Sequence, residues 1–342
     1  MLINGESMNI IFRNKTFTKS VAIATLVAAS FATTHAIAAD KIIKIDGSST
    51  VYPITEAVAE EFQAANKIKV TVAESGTGGG FKKFCRGETD ISNASRPISK
   101  KEMDACKEAA IQYIELPIAY DGLTVVVNSK NDWVKSLSVD DLKKIWKPGS
   151  SVKKWKDINP AYPDKPIALF GPGTASGTFD YFTEAINGKA KSSRSDYTPS
   201  EDDNVLVQGV SSNEGAMGYF GYAYYESNKD KLRAIPIAAK AGAAAVAPSP
   251  ETVKNGTYQP LSRPLFIYVN ATAAAFKPEV KAFVNYYLAN APKLVQEVKY
   301  VPLPAEDYTA VTAHFKALKA GTGFNGTPEV GVKITDLLGR IK

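Results

Sequence analysis

Three short segments rich in Gly, Ser and Thr have the residue types needed to bind an anion without a metal. They span residues 47–50, 75–80 and 173–178, and each follows a predicted strand and opens a predicted helix. Glycine lets backbone N–H groups approach a ligand closely. The first N–H groups of a helix have no internal partner, and the helix dipole favours negative charge there. The pattern therefore predicts a phosphate- or sulfate-type anion site.

Each segment alone is also typical of ordinary helix capping. Three of them at the carboxyl ends of strands are more specific, because ligands of α/β sheets bind beyond those ends. None matches a Walker A loop or a dinucleotide-binding fingerprint. Arg96, which ends a predicted strand before Pro97, is expected to add a guanidinium that matches an oxyanion. A surface position for Arg96 is the alternative.

The elements that must position these segments alternate between strands and helices. Predicted strands at 41–46, 68–73 and 167–170 lead into the three segments. A helical stripe follows the first segment from Pro53, with Ser49 or Thr50 as its N-cap. Ser99 and Glu102 form a capping box for another helix. This alternation favours an α/β fold with mostly parallel sheets.

Length and composition narrow the class of protein. The chain has 342 residues, of which 44% are hydrophobic and 22% charged, which suggests two folded domains and excludes disorder. It has only two histidines, which argues against His-rich metal sites and most imidazole catalysis. We expect no metal and no other cofactor.

Residues 1–39 are predicted to be a secretory signal peptide. Arg13, Lys15 and Lys19 precede an apolar stretch at 20–34, and small residues suggest cleavage near Ala38/Ala39. A membrane anchor is the alternative, but the stretch is shorter than the roughly 20 apolar residues that span a bilayer. The true start is Met1 or Met8. This segment has three basic residues and one acidic residue, so its removal lowers the net charge from +6 to +4. We expect a periplasmic protein.

Export changes the interpretation of Cys85 and Cys106, the only two cysteines. An extracytoplasmic compartment permits oxidation, so we predict a disulfide between them. Two free buried thiols are the alternative.

An enzymatic function is less well supported. The segment at 173–177 resembles a nucleophile elbow, but Ala175 stands where that motif requires serine. His314 is the only histidine after the predicted leader and is expected on a helix surface. Residues 201–203, Glu-Asp-Asp, are interpreted as the polar start of a helix. A secreted phosphatase or hydrolase using Ser176 would therefore lack a base. A nucleic-acid partner is not expected, because the charge of +4 is spread over the chain.

Four longer motifs resemble the periplasmic phosphate-binding proteins of the PstS family. They are DGSSTVYP (46–53), SGTGGGF (75–81), DISNASRP (90–97) and PGTASGTF (172–179). The resemblance covers essentially the whole mature chain in the right order. It implies a type II-like periplasmic-binding-protein fold, with residues 40–124 plus 237–342 in lobe 1, residues 125–236 in lobe 2 and a hinge between them. It also implies a monomer, not an enzyme, that delivers inorganic phosphate to the membrane permease of an ABC importer.

The resemblance also transfers a set of ligand residues to this chain by position. The expected phosphate-binding residues are Ser49, Thr50, Val51, Ser75, Thr77, Arg96, Asp121, Ser176, Gly177 and Thr178.

Two departures from the family pattern leave selectivity open. Some members have an aspartate before the proline at the end of the third strand, which accepts the proton of hydrogen phosphate, but Arg96 stands there in this chain. Those members also have an arginine just before the third segment, which residues 170–174 lack. We expect Arg96 to supply the guanidinium. Asp121 is the candidate proton acceptor, with turn formation before Gly122 as its alternative role, and Asp46 and Glu74 are weaker candidates. Sulfate or molybdate remains an alternative ligand.

Overall fold

The computed structural model describes residues 41–326, 329 and 334–341. The predicted leader and its cleavage site lie outside these residues. The strands are, in chain order, β1 (Ile42–Gly47), β2 (Lys69–Glu74), β3 (Ile91–Ala94), β4 (Tyr113–Asn128), β5 (Leu137–Ser138), β6 (Ala168–Pro172), β7 (Thr198–Ser200), β8 (Ala216–Gly221), β9 (Leu232–Ala234), β10 (Ile237–Ala238), β11 (Ala245–Val246) and β12 (Ser262–Asn270).

Helices alternate with these strands along the chain. They are α1 (Tyr52–Asn66), α2 (Thr77–Phe84), α3 (Lys100–Glu108), α4 (Val139–Trp146), α5 (Gly177–Asn187), α6 (Asp203–Ser211), α7 (Tyr222–Glu226), α8 (Pro250–Lys254), α9 (Ala271–Phe276), α10 (Pro278–Glu297), α11 (Ala305–Lys316) and α12 (Ile334–Arg340). Within the described ranges, none of these helices is both long and apolar enough to cross a bilayer.

The main sheet is mixed, with the strand order β2-β1-β3-β12-β4-β8-β6-β7 and β9 also paired to β4. The parallel pairing expected from the sequence is present at the two ends, between β1 and its neighbours and between β6 and its neighbours. The middle of the sheet is antiparallel, because β12 runs against β3 and β4, and β4 against β8. The predicted α/β fold with two lobes is confirmed, but its sheet is not mostly parallel.

The 16-residue strand β4 changes partner in its middle. Its first part, up to Gly122, pairs with β12, and its second part, from Leu123, pairs with β8. A Cβ atom added at Gly122 would lie 2.6 Å from Val253 Cγ2, so α8 packs closely against the strand at this point. The change of partner locates the passage between the two lobes at Gly122 and Leu123.

One hydrophobic cluster of the structure extends beyond residues 125–236. Ile237, Val253 and Leu261 are buried in the same hydrophobic cluster as Leu123 and Trp146. The first lobe has its own cluster, built around β1, α1 and α10. Residues from the range 237–261 therefore pack in the cluster of Leu123 and Trp146, whereas Leu265 of β12 packs in the cluster of β1, α1 and α10.

The ends of two helices differ from the sequence expectation. Val51, and not Ser49 or Thr50, is the N-cap of α1, and no side chain caps that helix. The hydroxyls of Ser49 and Thr50 are therefore available for other contacts. Helix α2 begins at Thr77, within the second Gly/Ser/Thr segment rather than after it. The capping box of Ser99 and Glu102 at the start of α3 is confirmed.

The predicted disulfide between Cys85 and Cys106 is confirmed. Cys85 follows the last residue of α2, and Cys106 lies in the last turn of α3. The bond therefore fixes the helix that begins at Thr77 against the helix that carries Glu102.

Replacing both cysteines with serine should lower the free energy of unfolding by about 3 kcal/mol, since the bond closes a loop of 21 residues. Urea denaturation of wild type and double variant, each with and without reductant, measures this. Reductant should destabilise the wild type and leave the variant unchanged. A wild type that is insensitive to reductant while unfolding would contradict the bond.

Candidate anion-binding site

The three Gly/Ser/Thr segments meet where the two lobes touch. Thr50 Oγ1 of the first segment lies 3.0 Å from Thr178 Oγ1 of the third. The Gly78 N–H of the second segment donates to the Ala175 carbonyl at 2.7 Å. These contacts join residues that are far apart in the chain, by 128 positions for Thr50 and Thr178. The fold thus places the three segments around one buried point.

Helix geometry explains why the third segment presents donors. Ser176 is the N-cap of α5, and its Oγ accepts hydrogen bonds from the N–H groups of Thr178 and Phe179. Because these bonds use the lone pairs of the oxygen, the hydroxyl proton of Ser176 remains available to a ligand. Buried Thr178 is the second residue of the same helix. The start of α5 can therefore present hydroxyl donors to an anion.

The second segment contributes Thr77, which is buried at the start of α2. Its Oγ1 accepts a hydrogen bond from the Ser95 N–H at 3.1 Å and lies 3.2 Å from Ser95 Oγ. Ser95 precedes Arg96 and was not among the residues expected at the site. The structure thus adds another buried hydroxyl to the group.

Gly177 is positioned where no side chain fits. A Cβ atom at this position would lie 2.4 Å from Thr77 Oγ1 and 2.6 Å from Ser95 Oγ. Gly177 belongs to the second lobe, and Thr77 and Ser95 belong to the first. Glycine is therefore required for the close approach of the lobes.

Arg263 is the arginine that the structure places among these hydroxyls, and it is not among the residues expected at the site from the sequence. It is the second residue of β12, and its side chain is 1% exposed. Its Nη2 donates to Asp121 Oδ2 at 2.9 Å and to Thr178 Oγ1 at 2.8 Å. Its Nη1 has no hydrogen-bond partner within the described residues. The Nη1 group of this buried guanidinium is therefore still available to donate a hydrogen bond to a ligand.

Arg96, the expected arginine, lies in different surroundings. Its Nε donates to Asp180 Oδ2 at 2.7 Å, and its two Nη atoms donate to Glu102 at 2.7 and 2.8 Å. Burial disfavours the charged form of Arg96, but the bonds to Glu102 and Asp180 outweigh it and raise the pKa. Asp180 is in α5 of the second lobe. Arg96 therefore forms an ion pair across the two lobes, which we call the latch.

The candidate proton acceptors also differ in their surroundings. Asp121 pairs with Arg263 and accepts a hydrogen bond from the Tyr222 N–H. Asp46 forms an ion pair with Lys83. Burial, followed by the charge of Asp202, raises the pKa of Glu74. The carboxylates of Asp121 and Asp46 therefore each have a cationic partner.

Asp203 is a further carboxylate at the site, although the sequence predicts a polar helix start at residues 201–203. That assignment holds for Asp202, which is the N-cap of α6. Asp203 points inward instead and accepts a hydrogen bond from Ser49 Oγ of the first lobe at 3.1 Å. Burial raises its pKa to about 7, although the bond from Ser49 opposes this rise. In the described structure, no lysine or arginine forms an ion pair with it.

Two expected ligands have partners in their own neighbourhood. Ser75 Oγ donates to Asp46 Oδ1 at 2.7 Å, and the Val51 N–H donates to the Ser48 carbonyl at 3.2 Å.

His314 lies in α11 as expected, but it is buried rather than on the surface. The described part of the chain contains no group of three potential His, Cys, Asp or Glu metal ligands.

Two α/β lobes meet at a group of hydroxyls, two helix starts and one arginine. This arrangement is typical of a two-lobed solute-binding protein. Residues 32–291 match the model of the PBP superfamily domain. The chain belongs to this superfamily and, within it, to the family that includes protein SphX and the phosphate-binding protein PstS.

Individual relatives support this assignment. The chain is 53% identical to protein SphX of Synechococcus elongatus over 92% of this chain and 94% of that protein. It is 42% identical to the phosphate-binding protein PstS of Staphylococcus saprophyticus, over 78% and 82% of the two chains. A crystal structure of a Clostridium perfringens protein with bound phosphate matches with a TM-score of 0.64 at 26% identity, covering 77% of this chain and all of that one.

Replacing Gly177 with alanine should weaken anion binding about 10- to 100-fold, because the new Cβ overlaps Thr77 and Ser95 when the lobes meet. The ligand-free stability should change little, since the clash is between lobes. Calorimetric titration with phosphate and a thermal melt measure both. Gly339→Ala, where nothing lies within 4 Å, is the control. Unchanged affinity in Gly177→Ala would contradict the close approach.

Proposed function

We propose that this protein captures inorganic phosphate between its lobes and delivers it to the permease of an ABC importer. The observation that carries this proposal is the convergence of Arg263 with the hydroxyl-bearing starts of α2 and α5. The relatives named as phosphate-binding proteins support the choice of ligand. The protein acts by binding and release, without chemistry on the ligand.

Hydrogen-bond donors rather than net positive charge hold the anion in this proposal. Because Asp121 neutralises Arg263, most of the stabilisation comes from oriented dipoles and hydroxyls. Thr50, Thr77, Ser176, Thr178 and the backbone at Gly177 supply them, whereas the donors of Ser49 and Val51 have partners within the protein. Arg263 supplies the guanidinium edge that Arg96 was expected to supply.

Closure of the lobes retains the ligand. Tyr224 Oη donates to the Ser49 carbonyl at 3.0 Å across the lobes, and the latch between Arg96 and Asp180 adds a charged contact. A ligand that contacts both lobes binds the closed form better and so shifts the protein toward it. Release to a permease then requires opening of these contacts.

An enzymatic role for Ser176 has no support in the geometry. The hydrogen bonds that the structure gives its hydroxyl come from backbone N–H groups, whereas a nucleophile needs a base within hydrogen-bond reach. We therefore propose that the protein is not an enzyme.

The proposed organisation follows from the packing. The second lobe spans residues 123–261, and the first lobe includes the remaining parts of the mature chain. The protein acts as a periplasmic monomer after removal of the leader near Ala38/Ala39. Where the lobes meet, they bury the ligand within one chain.

Selectivity for phosphate over sulfate is assigned to Asp203 rather than to Asp121. An ionised carboxylate accepts the proton of hydrogen phosphate, whereas it repels the unprotonated oxygens of sulfate. Asp121 is already compensated by Arg263, while the hydrogen bond that the structure gives Asp203 comes from a neutral hydroxyl. Asp203 therefore keeps the capacity to accept a proton.

Arg263→Lys should weaken phosphate binding about 10- to 100-fold, because lysine keeps the charge but loses the planar fork. The same change at Arg96 should cost less, since Arg96 contacts carboxylates and not the ligand. Calorimetry on refolded, ligand-free proteins compares the two variants. A larger loss in Arg96→Lys than in Arg263→Lys would contradict the assignment of the ligand-binding guanidinium to Arg263.

Sulfate binding should increase as the pH falls from 8 to 5, because Asp203 gains a proton near pH 7 and can then donate to a sulfate oxygen. Asp203→Asn, whose amide donates at every pH, should bind sulfate with little pH dependence and bind phosphate more weakly. Asp202→Asn, at the neighbouring N-cap of α6, is the matched control. Identical sulfate profiles in wild type and Asp203→Asn would contradict the assignment.

A further inference from the structure

Tyr300 is a buried tyrosine whose hydroxyl has no hydrogen-bond partner within the described residues. Its side chain is 3% exposed. Tyrosine hydroxyls in protein interiors usually find a partner, because a buried unsatisfied polar group is costly. The missing partner therefore requires an explanation.

The charges around Tyr300 are those of the anion site. Burial raises the pKa of the Tyr300 hydroxyl, and so do Tyr224, Asp121 and Asp203, whereas Arg263 lowers it. The hydroxyl therefore stays protonated and available as a donor. Arg263 Nη1, in the same surroundings, is a second buried donor without a partner in the described chain.

The backbone next to Tyr300 connects this hydroxyl to the hinge. Val301 forms an isolated β-bridge with Tyr120, with hydrogen bonds of 2.8 and 3.3 Å, directly before Asp121. Tyr300 packs in the hydrophobic cluster of the first lobe, whereas Val301 packs in that of the second. The segment therefore lies at the passage between the lobes.

We propose that Tyr300 is a ligand residue of the anion site, supplied by the hinge segment, and that its hydroxyl donates a hydrogen bond to the bound anion. The two unpartnered donors, Tyr300 Oη and Arg263 Nη1, then face the same ligand. This inference rests on the proposed phosphate-binding function. It adds a contact from the C-terminal part of the chain, beyond the three Gly/Ser/Thr segments.

Tyr300→Phe removes only the hydroxyl and keeps the packing of the ring. Loss of a hydrogen bond to an ionised ligand should weaken phosphate binding about 10- to 100-fold. The melting temperature without phosphate should stay the same or rise, because an unsatisfied buried group is removed. Tyr219→Phe is the matched control, since Tyr219 Oη is also buried without a partner in the described residues but lies in the core of the second lobe.

The outcomes separate the two levels of the proposal. A wild type that binds no phosphate in calorimetry overturns the proposed function and this inference together. A wild type that binds, with Tyr300→Phe within twofold of its affinity, overturns only the role of Tyr300. An equal loss in Tyr219→Phe would also overturn it, since the effect would then be a general one of core hydroxyls.

A second measurement does not depend on the folding of the Phe variant. Incorporation of 3-fluorotyrosine at position 300 keeps the ring and the hydroxyl and makes the hydroxyl a stronger donor. Phosphate binding should then tighten, and the change should be absent when the same residue is incorporated at position 219. An unchanged affinity at position 300 would count against the hydrogen bond.

Discussion

The ion pair between Arg263 and Asp121 is the interaction on which the site depends. A guanidinium that is 1% exposed is tolerated only with a carboxylate partner, because an isolated buried charge is very costly. The register of β12 and β4 places the two residues opposite each other at the passage between the lobes. The pair then reaches Thr178 of the second lobe through Nη2. The hinge and the centre of the candidate site are therefore the same place in the fold.

Closure of the lobes has an electrostatic cost as well as a gain. The contact between the lobes buries Asp180 and Asp203, and burial raises the pKa of both carboxyls. The ion pair with Arg96 offsets part of this cost for Asp180, whereas Asp203 accepts a hydrogen bond from the Ser49 hydroxyl. In the proposed function, a ligand that carries a proton complements Asp203 better than one that does not. The same burial that opposes closure can therefore contribute to selectivity.

The two arginines show why the site was only partly predictable. Arg96 follows the end of β3 and Arg263 lies at the start of β12, and both precede a proline, so the proline does not separate their roles. Their roles differ because Glu102 in the capping box reaches back to Arg96, whereas Asp121 lies opposite Arg263 across the sheet. The second pairing spans 142 positions, and neither residue type nor spacing reveals it. Asp203 was missed for a similar reason, since its partner Ser49 is 154 positions away.

Local sequence determined the elements, the three donor-rich segments, the capping box at Ser99 and the pairing of Cys85 with Cys106. These features depend on residues that are close in the chain or, for the cysteines, on there being only two. The tertiary structure decided which arginine joins the hydroxyls, which carboxylate remains without a cation, and where β4 changes partner. Those outcomes depend on long-range strand register and on the contact between the lobes, and both are set by the packing of the whole chain.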